Sequence, residues 1–156
     1  MSELTEILAA KLGKVLEEYP GKINQVPGES WSIKKSPGKW SKKEILGHLI
    51  DSAQNNLRRF VVGQYEQEPT LVYRQDDWVT SISYQQWSPE DLLYLWILVN
   101  RQIQFVLQNL SDEQAQRTVR TNLPEAKSIL WLSEDYLKHM FHHLHQILDL
   151  PDVTYP

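Results

Sequence analysis

Apolar residues recur every three or four positions in four long segments of the chain, the period of an amphipathic helix. The first runs from about Glu3 to Tyr19, with Leu4, Ile7, Leu8, Leu12, Val15 and Leu16 at that spacing, and Pro20-Gly21 is expected to stop it. The second opens at "SKKE", where Ser41 followed three residues later by Glu44 forms a capping box. Its apolar positions are Ile45, Leu46, Leu49, Ile50, Ala53, Leu57, Phe60 and Val61, and Gly63 sits near its end. The third opens at "SPED", with Ser88 as cap, Pro89 at the first helical position and two acids in the first turn, and continues to about Leu110. "SDEQ" at 111–114 predicts a short helix, and the last long helix is expected to start at Ser133–Asp135 and end before Pro151.

Between these segments, residues 64–87 are aromatic and polar without a clean period and are expected to form a long packed connection. The loop after the first helix is punctuated by Pro27-Gly28 and Pro37-Gly38. No repeat, low-complexity tract or strand pair stands out. The pattern predicts an all-α fold, a four-helix bundle with long connections, as one domain over residues 1–156.

Composition narrows the function more than the fold. Hydrophobic residues make up 41% and charged residues 23% of the 156-residue chain, an ordinary balance for a globular protein. No apolar run approaches the ~20 residues of a membrane span, and the N-terminus carries acids without a signal-peptide core. A net charge of −4 without a dense basic tract argues against nucleic-acid binding by counterion release. The absence of cysteine removes disulfides, thiolate metal sites and a cysteine nucleophile, and cytoplasmic residence is the default expectation.

Candidate chemistry gathers near the C-terminus. Four of the five histidines fall between positions 139 and 145, in "DYLKHMFHHLHQILDL". A helix turns about 100° per residue, so His139 and His143 lie one above the other and can point at a common cation. They flank the apolar stripe of Leu137, Met140, Phe141, Leu144, Ile147 and Leu148 on one side, beside Tyr136. His145 falls on the other flank, and His142 is expected to face solvent. Such a pair needs a third protein ligand, since catalytic sites usually have three and leave a position open. The remaining imidazole, His48, shares a polar line with Glu44, Asp51 and Asn55 opposite its helix's apolar stripe, and from pattern alone it reads as part of a solvated face.

Trp40 followed by "SKKEILGHLIDS", and later "YLKHMFHHLHQI", resemble the two signature segments of the DinB/YfiT-like superfamily, small four-helix-bundle proteins regarded as metal-dependent enzymes. "YRQDDWV", with Tyr73 and Trp78, and "LWILVNR" are similar to further family features, so the resemblance spans nearly the whole chain. It implies that His48, His139 and His143 form a three-histidine site for a divalent ion (zinc, nickel, manganese or iron). It gives His142 and His145 no ligand role. Asp51, one turn beyond His48, is implied as a supporting residue or an occasional fourth ligand, beside its plain reading as a solvent-facing helix acid.

Relatives of this kind include thiol-dependent transferases and isomerases. The resemblance therefore implies a metal-dependent transferase acting on a small electrophile, with a low-molecular-weight thiol supplied as cosubstrate because the chain has no cysteine. Arg58, Arg59, Arg74 and Arg101 are candidate carboxylate clamps beside their reading as ordinary surface charge. A metal-dependent hydrolase, with Asp51 or Asp76 as base, is the second expectation. A non-catalytic metal- or partner-binding bundle is the third; bundles of this kind readily form a homodimer through an exposed helix face.

Overall fold

The computed structural model describes residues 1–155. Four long helices dominate it: α1 (Glu3–Ile23), α2 (Lys42–Val62), α4 (Pro89–Gln108) and α6 (Ile129–Ile147). Two shorter ones, α3 (Gln75–Ile82) and α5 (Asp112–Gln116), fall in the connections. α1 and α2 each pack against α4 and α6, so the four long helices close around one core. That core includes Leu12, Leu46, Ile50, Phe60, Trp96, Ile103, Met140 and Leu144, all excluded from solvent. The outward side of α4 leaves Tyr94, Leu98 and Phe105 exposed. No helix among the described residues is long and apolar enough to cross a membrane.

The expected helix signals act where side chains reach backbone donors. The Ser41 hydroxyl accepts from the Glu44 N–H while the Glu44 carboxylate accepts from the Ser41 N–H, and Ser111 and Gln114 repeat the exchange at α5. Ser88 caps α4 by accepting from the Asp91 N–H. Each such cap contributes ~1 kcal/mol to its helix.

Three boundaries differ from expectation, each for a tertiary reason. α1 does not stop at Pro20-Gly21. The Asn24 N–H donates to the Pro20 carbonyl at 2.9 Å, and the extra turn brings Ile23 into the core at 1% exposure. α6 starts four residues before Ser133, capped by Ser128, whose hydroxyl accepts from the Trp131 N–H. Ser133 is instead buried within the helix and donates to the Ile129 carbonyl at 2.7 Å. The connection at 64–87 contains α3 and a 3-10 turn at Tyr84–Gln86, and it joins the 120s through backbone bonds between Leu71 and Arg120 and between Arg120 and Pro69. A two-residue antiparallel ladder, β1 (Thr118–Val119) with β2 (Lys127–Ser128), closes the loop before α6.

The 3-10 turn seats the Tyr84 ring against α2 beside His48. A Cβ on Gly47 would fall 2.1 Å from Tyr84 Cδ2, a distance real atoms do not tolerate, so only glycine lets this buried ring lie flat on the helix. Gly47→Ala is therefore expected to destabilise the fold by about 1–3 kcal/mol through overpacking, even though alanine is the better helix former. Urea unfolding measures it; a neutral or stabilising result would mean that Tyr84 is not held there.

Candidate metal centre

α2 and α6 face each other across the bundle and bring three imidazoles together. His48, His139 and His143 each offer a ring nitrogen, and the three nitrogens lie within 4.8 Å of one another. The ring centroids are 4.9 Å (48–139), 4.8 Å (48–143) and 4.6 Å (139–143) apart. His48 is 1% exposed, which overturns its reading as part of a solvated face. The polar line of α2 points inward at His48, which α6 receives with His139 and His143, and at Asp51, which the 3-10 turn receives with Tyr84. Trp40, just ahead of the α2 cap, lays its ring 4.7 Å from that of His48 and covers it.

The donor set fits a cation. The Nε2 atoms of His48 and His139 face each other at 3.0 Å. Two nitrogens held tetrahedrally at 2.0–2.1 Å from zinc would lie roughly 3.3 Å apart, so a small movement would suffice. Burial, and next the neighbouring imidazoles, pull the His48 pKa down to about 2 and the His139 pKa to about 3. Burial also lowers His143. All three rings are therefore neutral, the form whose lone pairs can ligate. The Nδ1–H of His143 donates to Gln146 Oε1 at 2.7 Å, which leaves its Nε2 as the lone-pair nitrogen. Gln146 sits one turn further along α6 and explains the glutamine that trails the histidine pair.

Asp51 is not a solvent-facing acid. It is fully buried, and its Oδ1 accepts a hydrogen bond from the Tyr84 hydroxyl. Burial raises its pKa to about 6, against the opposing pull of the Tyr84 bond. Its Oδ2 has no partner among the described residues, and neither does Nδ1 of His48, three residues back on the same helix.

The cluster opens on a cavity of about 590 Å³ whose lining includes Trp40, Asn56, Arg59, Tyr73, His139 and His143. Asp76 lies exposed at the start of α3 and does not line it; Arg58 and Arg101 are also at the surface. Arg74 lines the cavity rim but pairs with Asp77. Arg59 alone of the four candidate arginines is buried.

His142 also departs from expectation. It is half-buried because the chain after α6 folds back over it: Nδ1 lies 2.9 Å from the Val153 carbonyl and 3.2 Å from the Asp152 carboxylate. His145 contacts the Pro151 carbonyl at 2.9 Å. The same tail puts the Tyr155 ring 5.2 Å from that of His139, with its hydroxyl donating to Asp135. Sequence patterning carried no signal for Tyr155 or Tyr84, since neither belongs to a periodic segment.

A family model described as the DinB superfamily matches residues 12–147. The chain belongs to this superfamily. Over 145 residues this DinB-superfamily chain is 26% identical to "Putative metal-dependent hydrolase YfiT" of Bacillus subtilis (strain 168), a match that covers 88% of the chain and 80% of the relative. The solved structure of YfiT, described as an unusual four-helix bundle topology, is similar in fold with a TM-score of 0.78 at 24% identity, over 96% of this chain and 87% of that one. A mycothiol-dependent maleylpyruvate isomerase is similar in fold with a TM-score of 0.71 at 12% identity, over 99% of this chain and 65% of that one.

The lowered imidazole pKa values bear on stability. Unfolded histidines take up protons near the reference value of ~6.5, whereas the folded ones resist until far lower pH. Stability of the metal-free protein is therefore full above ~6.5 and falls as pH drops below it, by roughly 1 kcal/mol per pH unit for each such histidine. Asp51 acts in the opposite sense, because its raised folded pKa favours the native state below about 6. His48→Gln should flatten the dependence between pH 6.5 and 5, and Asp51→Asn should steepen it. Chemical denaturation across that range tests both; identical slopes in all three proteins would contradict the assignment.

Proposed function

We propose that this chain is a divalent-metal-dependent enzyme whose ion is held by His48, His139 and His143 and whose small-molecule substrate enters the adjoining cavity. The observation that carries this reading is the meeting of three neutral imidazoles from two helices, His48 buried and His139 and His143 half-buried at the wall of that cavity. A bound divalent ion would supply Lewis-acid chemistry, lowering the pKa of a nucleophile at neutral pH.

The chain's own residues do the rest. Gln146 fixes the tautomer of His143. Asp51 is placed to orient His48: its unpartnered Oδ2 and the unpartnered Nδ1 of His48 lie three residues apart on one helix, where a small rotation or a bridging water joins donor to acceptor. The ring of Trp40 shields His48 from bulk water. Asp51 lies behind the cavity wall rather than on it, so its role in this reading is positioning and not proton abstraction from substrate.

The nucleophile we favour is the thiolate of a low-molecular-weight cosubstrate, attacking a small electrophile in a transferase reaction. A set of only three protein donors leaves a coordination position for a sulfur ligand, the chain has no cysteine of its own, and a relative in fold is a mycothiol-dependent isomerase. Hydrolysis by activated water is the second reading, supported by the name of the Bacillus relative.

Titration of cobalt-substituted protein with glutathione, cysteine or a sugar thiol separates the two. The transferase reading expects a new near-ultraviolet charge-transfer band that saturates at about one equivalent per site and is lost in His143→Ala. An unperturbed cobalt spectrum at millimolar thiol, with turnover of an ester or amide in the absence of thiol, would move the assignment to hydrolysis.

A further inference from the structure

Arg59 stands out among the charged residues of the cavity because it is buried without an ion pair among the described residues. It is 7% exposed, and no carboxylate of the described residues forms an ion pair with it. Its partners are neutral. Nε donates to the Leu71 carbonyl at 3.0 Å, Nη1 approaches Asn56 Oδ1 at 3.4 Å, and Nη2 approaches Asn122 Oδ1 at 3.5 Å. The Tyr73 ring centroid lies 5.7 Å from the guanidinium carbon. The Nε bond anchors the group firmly, whereas the two Nη contacts are at the long limit of hydrogen bonding. A guanidinium stays charged in a protein and carries five donors, so burial on these terms leaves both charge and donors undersupplied.

The other charges facing this cavity are already engaged. Asp135 accepts from the Tyr155 hydroxyl at 2.8 Å, and Arg74 pairs with Asp77. Arg59 is therefore a cation of the cavity that forms no ion pair among the described residues, and the Asp135 carboxylate on the same cavity acts on it only through space. Arg59 sits eleven residues beyond His48 on α2, ~16 Å along the helix axis, so the cavity has a nitrogen-donor end and a guanidinium end.

We infer that Arg59 is the anion-binding residue of this cavity and that it takes a single carboxylate of the substrate or cosubstrate, leaving the reacting end at the histidine cluster. The inference rests on the reading of the cavity as the substrate site. A carboxylate matches the planar fork of the guanidinium, and with Asp135 already facing the cavity a monoanion meets less like-charge repulsion than a phosphate dianion. Nη1 and Nη2 would exchange their long amide contacts for two charge-assisted ones, while the Leu71 carbonyl keeps the guanidinium in place.

Butyrate, its uncharged isostere butyramide, and methyl phosphate test this on the full chain, with and without zinc. The reporter is the Arg59 Nε–Hε resonance, identified by its loss in Arg59→Gln. Butyrate should shift it saturably and butyramide should not. Butyrate affinity should fall about tenfold or more in Arg59→Gln, less in Arg59→Lys, and not at all in the exposed control Arg58→Gln. Equal responses to butyrate and butyramide, or undiminished butyrate binding by folded Arg59→Gln, overturn the inference and leave Arg59 as a brace between α2 and the 70s and 120s loops. Tighter binding of methyl phosphate than of butyrate overturns the carboxylate assignment. Zinc binding is scored separately. Butyrate bound at Arg59 without zinc affinity sinks the metal reading and keeps this one, and zinc bound with butyrate indifferent to Arg59 does the reverse.

Discussion

Everything at this site depends on holding three imidazoles against one another where water is largely excluded, His48 buried and His139 and His143 half-buried. Burial alone disfavours a charged ring, and mutual proximity disfavours it further, so the cluster survives folding only in its neutral form. The bundle meets that condition with unusually polar helix faces. His48 and Asp51 on α2, and Tyr136, His139 and His143 on α6, face inward where leucines would pack a simpler bundle. Around them the structure is arranged to hold rings still: Trp40 over His48, Gln146 on His143, Tyr84 on Asp51.

That arrangement explains features that look unrelated along the chain. Gly47 is a glycine because the Tyr84 ring needs the space beside α2. The Ser41 capping box fixes where α2 begins, and with it the angular position of His48 two turns later. The tail after α6 folds back so that Tyr155 borders the cavity and the Asp152–Val153 segment engages Nδ1 of His142, whose ring lies 4.9 Å from that of His143 without joining the three clustered donors. Arg59 then lines the same cavity with a charge that forms no ion pair among the described residues.

Much of this was legible in the sequence. All four long helices, the serine caps of α2, α4 and α5, and the shared edge of His139 and His143 follow from spacing alone, because caps and helical periodicity are local. The errors are tertiary. Pro20 does not end α1, because Ile23 gains more by entering the core than the helix loses at the proline. Ser133 looks like a cap but lies one turn inside α6, since Ser128 already supplies one. A helical wheel takes the side opposite the leucines to be the wet side, and for α2 that is false: His48 meets His139 and His143 of α6, and Asp51 is buried with the Tyr84 hydroxyl on it. Only the resemblance of short motifs placed His48 correctly. The burial of Arg59 and the seating of Tyr84 depend on loops without a period, and no local pattern reveals them.

The central claim is that three particular imidazoles, and not the neighbouring pair, hold a divalent ion. Elemental analysis of untagged protein tests it most directly, alongside His48→Ala, His139→Ala, His143→Ala and the double variant His142→Gln/His145→Gln. The account predicts close to one equivalent of metal in the parent and in the double variant, and loss of most of it in each alanine variant, with helical circular dichroism retained. Stoichiometric metal in all three alanine variants, or a metal-free double variant, would contradict it.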